Sequence, residues 1–249
     1  MEVLNVRYNN ITIKCALKKI FSLLEGEKKY NLFFLNADCL RQAQIDKEYR
    51  EILNSADLVL PDGIGLRLVT RVFGGEMKDN CNGTDLSPLI LKGATKKNYK
   101  IYFLGGRESV AKGAAENIIK AIPFIQIVGH CSGYFYSDDE VINSINSSGA
   151  NILFVALGVP KQEKWIAKNR EKLNPKLCLG VGALLDYLSG NIKRAPVWMR
   201  RLHIEWVWRI IIDPKRMFQR YIIDGFHFLI YVLYVRLRLA NKGFDKVMK

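Results

Sequence analysis

The sequence predicts an α/β chain: a Rossmann-like, mostly parallel sheet with helices on both faces, plus a basic, mainly helical C-terminal appendage. Three observations carry that expectation. Apolar runs of strand length recur between segments of helical periodicity. Those runs are apolar almost throughout, as strands covered on both faces are. After about Gly190 they cease, and Lys and Arg accumulate.

Taken in order, Leu32–Asn36 (LFFLN) reads as a strand, Cys39–Asn54 as a helix and Asp57–Leu60 as a strand. Ile64–Phe73 and Asp85–Lys97 read as helices, Lys100–Leu104 (KIYFL) as a buried strand and Glu108–Ala121 as a helix. A strand at Gln126–Val128 and a helix at Asp138–Ser147 follow. The pattern closes with a strand at Asn151–Leu157 (NILFVAL), a helix at Lys161–Lys172 and a strand at Leu177–Leu179. The opening stretch mixes polarity without the charged and apolar blocks of a secretion signal, so it belongs to the fold.

With 249 residues, 49% of them apolar, the chain can bury a sizeable core, which excludes intrinsic disorder. Its five cysteines are scattered, never spaced C-x-x-C, and read as reduced thiols of a cytosolic protein. His130, His203 and His227 lack partners at metal-ligand spacing and read as structural.

The net charge of +14 is uneven, since residues 193–249 hold 13 Lys/Arg against four Asp/Glu. That stretch also carries Trp198, Trp206 and Trp208. Its most apolar run, residues 222–235, contains Asp224 and His227 and is shorter than the ~20 residues a spanning helix needs. A domain at 1–194 and a membrane-binding appendage at 195–249, lying on an anionic lipid surface, are therefore expected.

Ligands of such sheets bind at the carboxyl ends of the strands, and the turn residues fall there: Asn36-Ala37-Asp38, Pro61-Asp62-Gly63, Gly105-Gly106, Gly158-Val159-Pro160 and Gly180-Val181-Gly182. Asp62 is either a turn residue or a general base on this rim. Gly105 and Gly106 either form a tight turn or offer backbone N–H groups to phosphate. In LGVPKQEKWI, Pro160 fits a first helical turn, with Lys161 and Gln162 at its mouth and Gln162 the candidate ligand contact. Glu163, Lys164 and Lys168 fit an ordinary solvated face, and so does Asp186. Gly180-x-Gly182 lacks the rest of a dinucleotide fingerprint, which disfavours a nicotinamide enzyme. No D-x-D pair, G-x-S-x-G or Cys/His nucleophile is present. Charge alone leaves a nucleic-acid-binding module or a non-catalytic membrane scaffold open as alternatives.

Taken together, Asn36–Asp38, ADLVLPDGIGL, Gly83-Thr84-Asp85, YFLGG, Gly133-Tyr134-Phe135, ALGVPKQE, GVGALLDYLSG and KRAPVWMRRLHIEWVWR resemble the WecG/TagA/CpsF glycosyltransferases, collinearly over residues 5–220. The resemblance implies a metal-independent, inverting transfer from a UDP-sugar to an undecaprenyl-diphosphate-linked sugar in cell-surface polysaccharide or teichoic acid synthesis. The donor sugar would be N-acetylmannosamine or a related hexose or uronic acid. Asp62 matches the family's base. Asn36, Gly83, Thr84, Asp85, Gly105, Gly106, Gln162, Gly182 and Asp186 match its donor pocket, and Arg209, Arg216 and Arg220 match the arginines that meet the diphosphate. No cofactor, metal or nucleic acid is implied, a homo-oligomer is left open, and the place is the inner face of the cell membrane. Two positions depart from the family pattern: Phe34 stands where many members have Thr, and Asn80 where they have Arg.

Overall fold

A computed structural model describes the backbone of residues 1–202 and 204–247 and the side chains of 1–202 and 204–239; His203 lies outside the described residues. A short hairpin, β1 (Glu2–Val3) with β2 (Val6–Arg7), precedes α1 (Ile13–Glu25). Next come β3 (Tyr30–Leu35), α2 (Ala37–Ile45), α3 (Lys47–Ser55), β4 (Leu58–Pro61), α4 (Gly63–Val72) and α5 (Gly83–Lys96). The second half of the sheet region comprises β5 (Lys100–Gly105), α6 (Glu108–Ala121), β6 (Gln126–Cys131), α7 (Asp138–Ser147), β7 (Ile152–Ala156), α8 (Lys161–Asn169), β8 (Leu177–Gly180) and α9 (Leu184–Leu188). The chain then runs through α10 (Val197–Arg201), α11 (Glu205–Ile212) and α12 (Pro214–Phe218). A π-helical turn, Gln219–Ile223, leads into α13 (Asp224–Val247).

Six strands form one sheet in the order β4-β3-β8-β7-β5-β6, every neighbouring pair parallel. Because successive strand residues face opposite sides, Phe33 and Leu35 enter one core with α2, α3, α4, α7 and α8. Leu32 and Phe34 enter the other with α1, α5, α6 and α9. Both faces are covered, which is why the strands read as apolar runs instead of alternating.

Local chemistry moves several boundaries from those predicted. The single helix expected over Cys39–Asn54 is two, because Asp46 adopts an extended conformation and its side chain accepts the Tyr49 backbone N–H at 2.9 Å, restarting the chain as α3. Neither the hairpin nor α1 was predicted. The helix buries only Ala16, Ile20 and Leu24, a stripe one residue wide between lysines, and Thr12 caps it. The strand expected to end at Leu60 takes in Pro61, tolerated because β4 is an edge strand. The helix at Lys161 stops at Asn169, three residues early.

Past α9 the helices bury little. Met199, Met217, Phe228 and Val232 are buried, while α11 buries no residue. Phe228 and Val232, one turn apart, join the core beside α2 and α4. Arg236 Nε donates to the Val72 carbonyl at 3.0 Å and fastens α13 there. No helix among the described residues is long and apolar enough to cross a membrane.

Candidate active site

The register Leu35↔Pro61 brings the ends of β3 and β4 side by side, so Asn36 and Asp62 are neighbours on the rim; the Asp62 N–H donates to the Leu35 carbonyl at 2.8 Å. Asn36 caps α2, its Oδ1 accepting the Cys39 N–H at 2.9 Å. Asp62 stands at the equivalent place before α4 but makes no side-chain cap. The task falls partly to Asn80, whose Oδ1 accepts the Gly63 N–H at 2.7 Å. An aspartate at a helix start ordinarily spends its carboxylate on the backbone, so this carboxylate is released for other work.

Although Asp62 is only half-buried by its exposed surface, protein atoms crowd the carboxylate closely. Desolvation pushes its pKa up, Arg209 opposes, Glu205 adds to the rise, and Asn36 and Arg220 pull back; the net direction is upward. Burial works against the Arg209 cation, yet Tyr221, Tyr187, Asp62 and Glu205 together push its pKa up. Arg209 therefore stays a cation. Its guanidinium also lies 5.7 Å from the Tyr187 ring centre.

The three arginines matched to the diphosphate part company. Arg209 and Arg220 are close enough to act on Asp62. Arg220 leaves the π-helical turn to meet Asp38 Oδ2 at 2.8 Å, and Arg41 meets Asp38 Oδ1 at 2.9 Å. Arg216 instead points outward, 70% exposed and paired with Asp213 at 2.8 Å. Two residues not singled out from the sequence join the cluster: Arg194, 2.6 Å from Asp85 and 3.6 Å from Glu205, and Glu205 itself, 3.9 Å from Arg209. Both belong to the block KRAPVWMRRLHIEWVWR, which was the available signal.

The remaining rim residues shape the backbone. Gln162 is buried and its amide is engaged on both sides: Oε1 accepts the Gly182 N–H at 2.9 Å and Nε2 donates to Glu163 at 2.8 Å. It clasps the turn after β8 to the start of α8. Glu163, read above as a solvated side chain, is fully buried, and burial raises its pKa to about 7, against the Gln162 hydrogen bond. Helical periodicity alone could not show this, because α8 packs under the rim with Gln162, Glu163 and Trp165 all inward. Lys164 and Lys168 do face solvent and pair with Asp46 and Asp138, each at 2.8 Å.

Gly105 has a positive φ of 138°, and an added Cβ would lie 2.4 Å from the Ala156 carbonyl oxygen, so only glycine lets β5 and β7 close up here. Gly106 continues the turn. Gly83 and Thr84 open α5, with Gly83 lying against the Phe34 ring. Phe34 and Asn80, the two departures, thus flank one spot, the gap between the Asp62 turn and the start of α5. Asp186 accepts from Asn191 Nδ2 at 3.0 Å, closing the loop after α9. All five cysteines are free, and burial lifts Cys39 to about 12. Among the described residues no three His, Cys, Asp or Glu side chains converge as metal ligands would.

A sequence profile described as the glycosyl transferase WecG/TagA/CpsF family matches residues 1–242. The chain belongs to this family. A relative from Bacillus subtilis strain 168 is 36% identical over 171 residues, 69% of this chain and 67% of the relative. Another, from Staphylococcus aureus strain MRSA252, is 30% identical over 220 residues, covering 87% of this chain and 86% of the relative. Both carry the name N-acetylglucosaminyldiphosphoundecaprenol N-acetyl-beta-D-mannosaminyltransferase. The protein is a glycosyltransferase, and on this WecG/TagA/CpsF scaffold the cluster around Asp62 is its candidate active site.

Proposed function

We propose that this transferase moves N-acetylmannosamine, or a related hexose or uronic acid, from a UDP-sugar to a sugar carried on a polyprenyl diphosphate, with inversion and without a metal ion. The relatives' names describe a transfer to undecaprenyl-diphosphate-linked N-acetylglucosamine. One observation carries the reading: Asp62 keeps its carboxylate off the α4 backbone, on the rim, within reach of the influence of Arg209 and Arg220. Inversion needs a base on the side of the sugar opposite the leaving group, and a carboxylate with a raised pKa accepts a hydroxyl proton more readily than an ordinary one.

The departing diphosphate needs positive charge and N–H groups. Guanidinium groups serve diphosphate with two donors at once, and in this reading Arg209 and Arg220 do so. Gly105 and Gly106 lie four strand spacings from Asp62, about 19 Å along the rim. An extended nucleotide sugar fits along that line, with its uridine toward the glycines, its middle over the Gly182 turn braced by Gln162, and its sugar toward Asp62 and Asn36. Gly83, Thr84, Asp85 and Asp186 border the same line, and Phe34 and Asn80 set donor choice at the sugar end.

Membrane attachment belongs to the same reading, with residues 195–249 as the attaching unit. Trp206, Ile211, Ile212, Phe218, Phe226 and Ile230 are all exposed on these helices, among Arg201, Lys215 and Arg216. Apolar and aromatic side chains beside cations suit a headgroup region of anionic lipid. A peripheral position on the inner face would bring the lipid carrier to Arg209 and Arg220, while outward-pointing Arg216 would meet the lipid surface. The test is a panel of UDP-sugars assayed for UDP release, with lipid-linked N-acetylglucosamine in detergent, both without and with a metal chelator. Release from one donor, dependent on the acceptor, is expected; silence across the panel overturns the transfer, and activity lost only to the chelator overturns its metal independence.

A further inference from the structure

The geometry points to Arg194 and Arg209 as a paired diphosphate-binding site whose place is held by the Glu205 carboxylate. The inference rests on the reading that this rim takes a diphosphate and adds to it Arg194, a ligand-binding residue, and Glu205, an internal competitor for the site. Arg194 leaves the segment after α9, whereas Glu205 and Arg209 share a face of α11, one turn apart.

Three features argue for this. First, Glu205 lies between two guanidinium groups without a proper bond to either, 3.6 Å from Arg194 Nε and 3.9 Å from Arg209 Nη2. Those separations exceed hydrogen-bond length. Its Oε1 is buried and has no hydrogen-bond partner. A carboxylate that loosely spans two cations stands where a larger anion could bond to both.

Second, Arg194 has donors to spare. Nη2 lies 2.6 Å from Asp85 Oδ1, but the contact lacks the alignment of a hydrogen bond, and buried Nη2 and Nε both remain without an acceptor. Arg220 Nε is buried and unpartnered too. Buried donors of charged groups are costly to leave unmet, and here several face one neighbourhood. Third, α11 buries no residue, so displacing Glu205 does not require breaking a packed core.

The chemistry of the ligand follows. Arg194 and Arg209 are offset by Asp85 and Glu205, so an incoming diphosphate meets a nearly neutral cluster and must turn the Glu205 carboxylate aside before both arginines can bind it. Both a nucleotide diphosphate and a prenyl diphosphate have this group, and the experiment separates them. Heat of binding is measured on the full chain with UDP, with UMP and with farnesyl diphosphate in detergent micelles, for wild type, Glu205→Gln, Arg194→Ala and Arg194→Lys. Circular dichroism checks each fold.

Glu205→Gln is expected to tighten one or both diphosphates about fivefold while leaving UMP unchanged. Arg194→Ala should weaken the same ligand tenfold or more, and Arg194→Lys should recover only part of that loss, because lysine lacks the two-pronged fork. The ligand that responds names the source. A purely structural role for Glu205 predicts the opposite sign, so a folded Glu205→Gln chain that binds diphosphates no better than wild type overturns the inference while leaving the proposed transfer standing. A wild-type chain that binds neither UDP nor farnesyl diphosphate overturns both.

Discussion

The sheet region and the helices after α9 are built on different principles. In the first, β3, β5, β7 and β8 are buried almost end to end and helices cover both faces. In the second, α11 buries nothing, and α13 is pinned at Phe228 and Val232 while Phe226, Ile230 and Leu233 stay exposed. Yet Arg209 and Glu205, the two charges that most alter Asp62, come from the loosely packed region, as does the more weakly acting Arg220. The rigid half holds Asp62 in place, and the lightly anchored half brings the charge. In the proposed transfer, such a division would let the second region meet a lipid-borne substrate without deforming the first.

The largest effect should come at the junction. Asp62→Asn is expected to lower turnover by two orders of magnitude or more, with the melting temperature unchanged or higher, since a crowded carboxylate costs stability that an amide does not. Wild-type activity should rise as pH climbs through the raised Asp62 pKa, because the base must first lose its proton. Full turnover by Asp62→Asn would remove Asp62 from the chemistry.

Arg209→Ala against Arg216→Ala sharpens the comparison within the helical half. The first should cost about tenfold or more in kcat/KM with soluble components. The second, exposed and paired only with Asp213, should change it less than about twofold. Equal losses in both would mean that α12 turns inward during catalysis.

Stability should separate the regions as well. Phe154→Ala, in the sheet core, is expected to cost about 3–5 kcal/mol in urea unfolding. Ile211→Ala, exposed on α11, should cost less than about 0.5 kcal/mol but reduce binding to anionic vesicles. A large unfolding penalty at Ile211 would show that α11 is packed more firmly than its exposure implies.

The smallest test concerns Glu163. With a folded pKa of about 7 against an ordinary 4.5, the native chain keeps this proton after the unfolded chain has lost it. The sign is therefore a stability that falls as pH rises from 4.5 and levels off above about 7, by at most about 3 kcal/mol. Glu163→Gln should remove that slope and leave the chain more stable at pH 8. A slope that survives the substitution assigns it to other groups.

Much of this was legible beforehand. Apolar runs such as KIYFL and NILFVAL carry their own strand signal, and turn residues at their carboxyl ends marked the rim with Asp62 and Asn36 on it. Less legible were features that depend on a neighbour. The break at Asp46 is a cap bond inside a helical pattern, and the burial of Glu163 depends on which face of α8 lies under the Gln162 clasp. Arg216 could not be told from Arg209 by spacing, since both are arginines in one amphipathic stretch.

What the sequence by itself determined is the periodic part: buried strands, the helices between them, and the placing of an acid and glycines where strands end, because these follow from bonds and burial within a few residues. Only the tertiary structure decided which charges face Asp62. Its neighbours Arg209, Glu205 and Arg220 lie more than 140 positions further along, and electrostatic influence depends on distance in space, which the docking of the last helices sets.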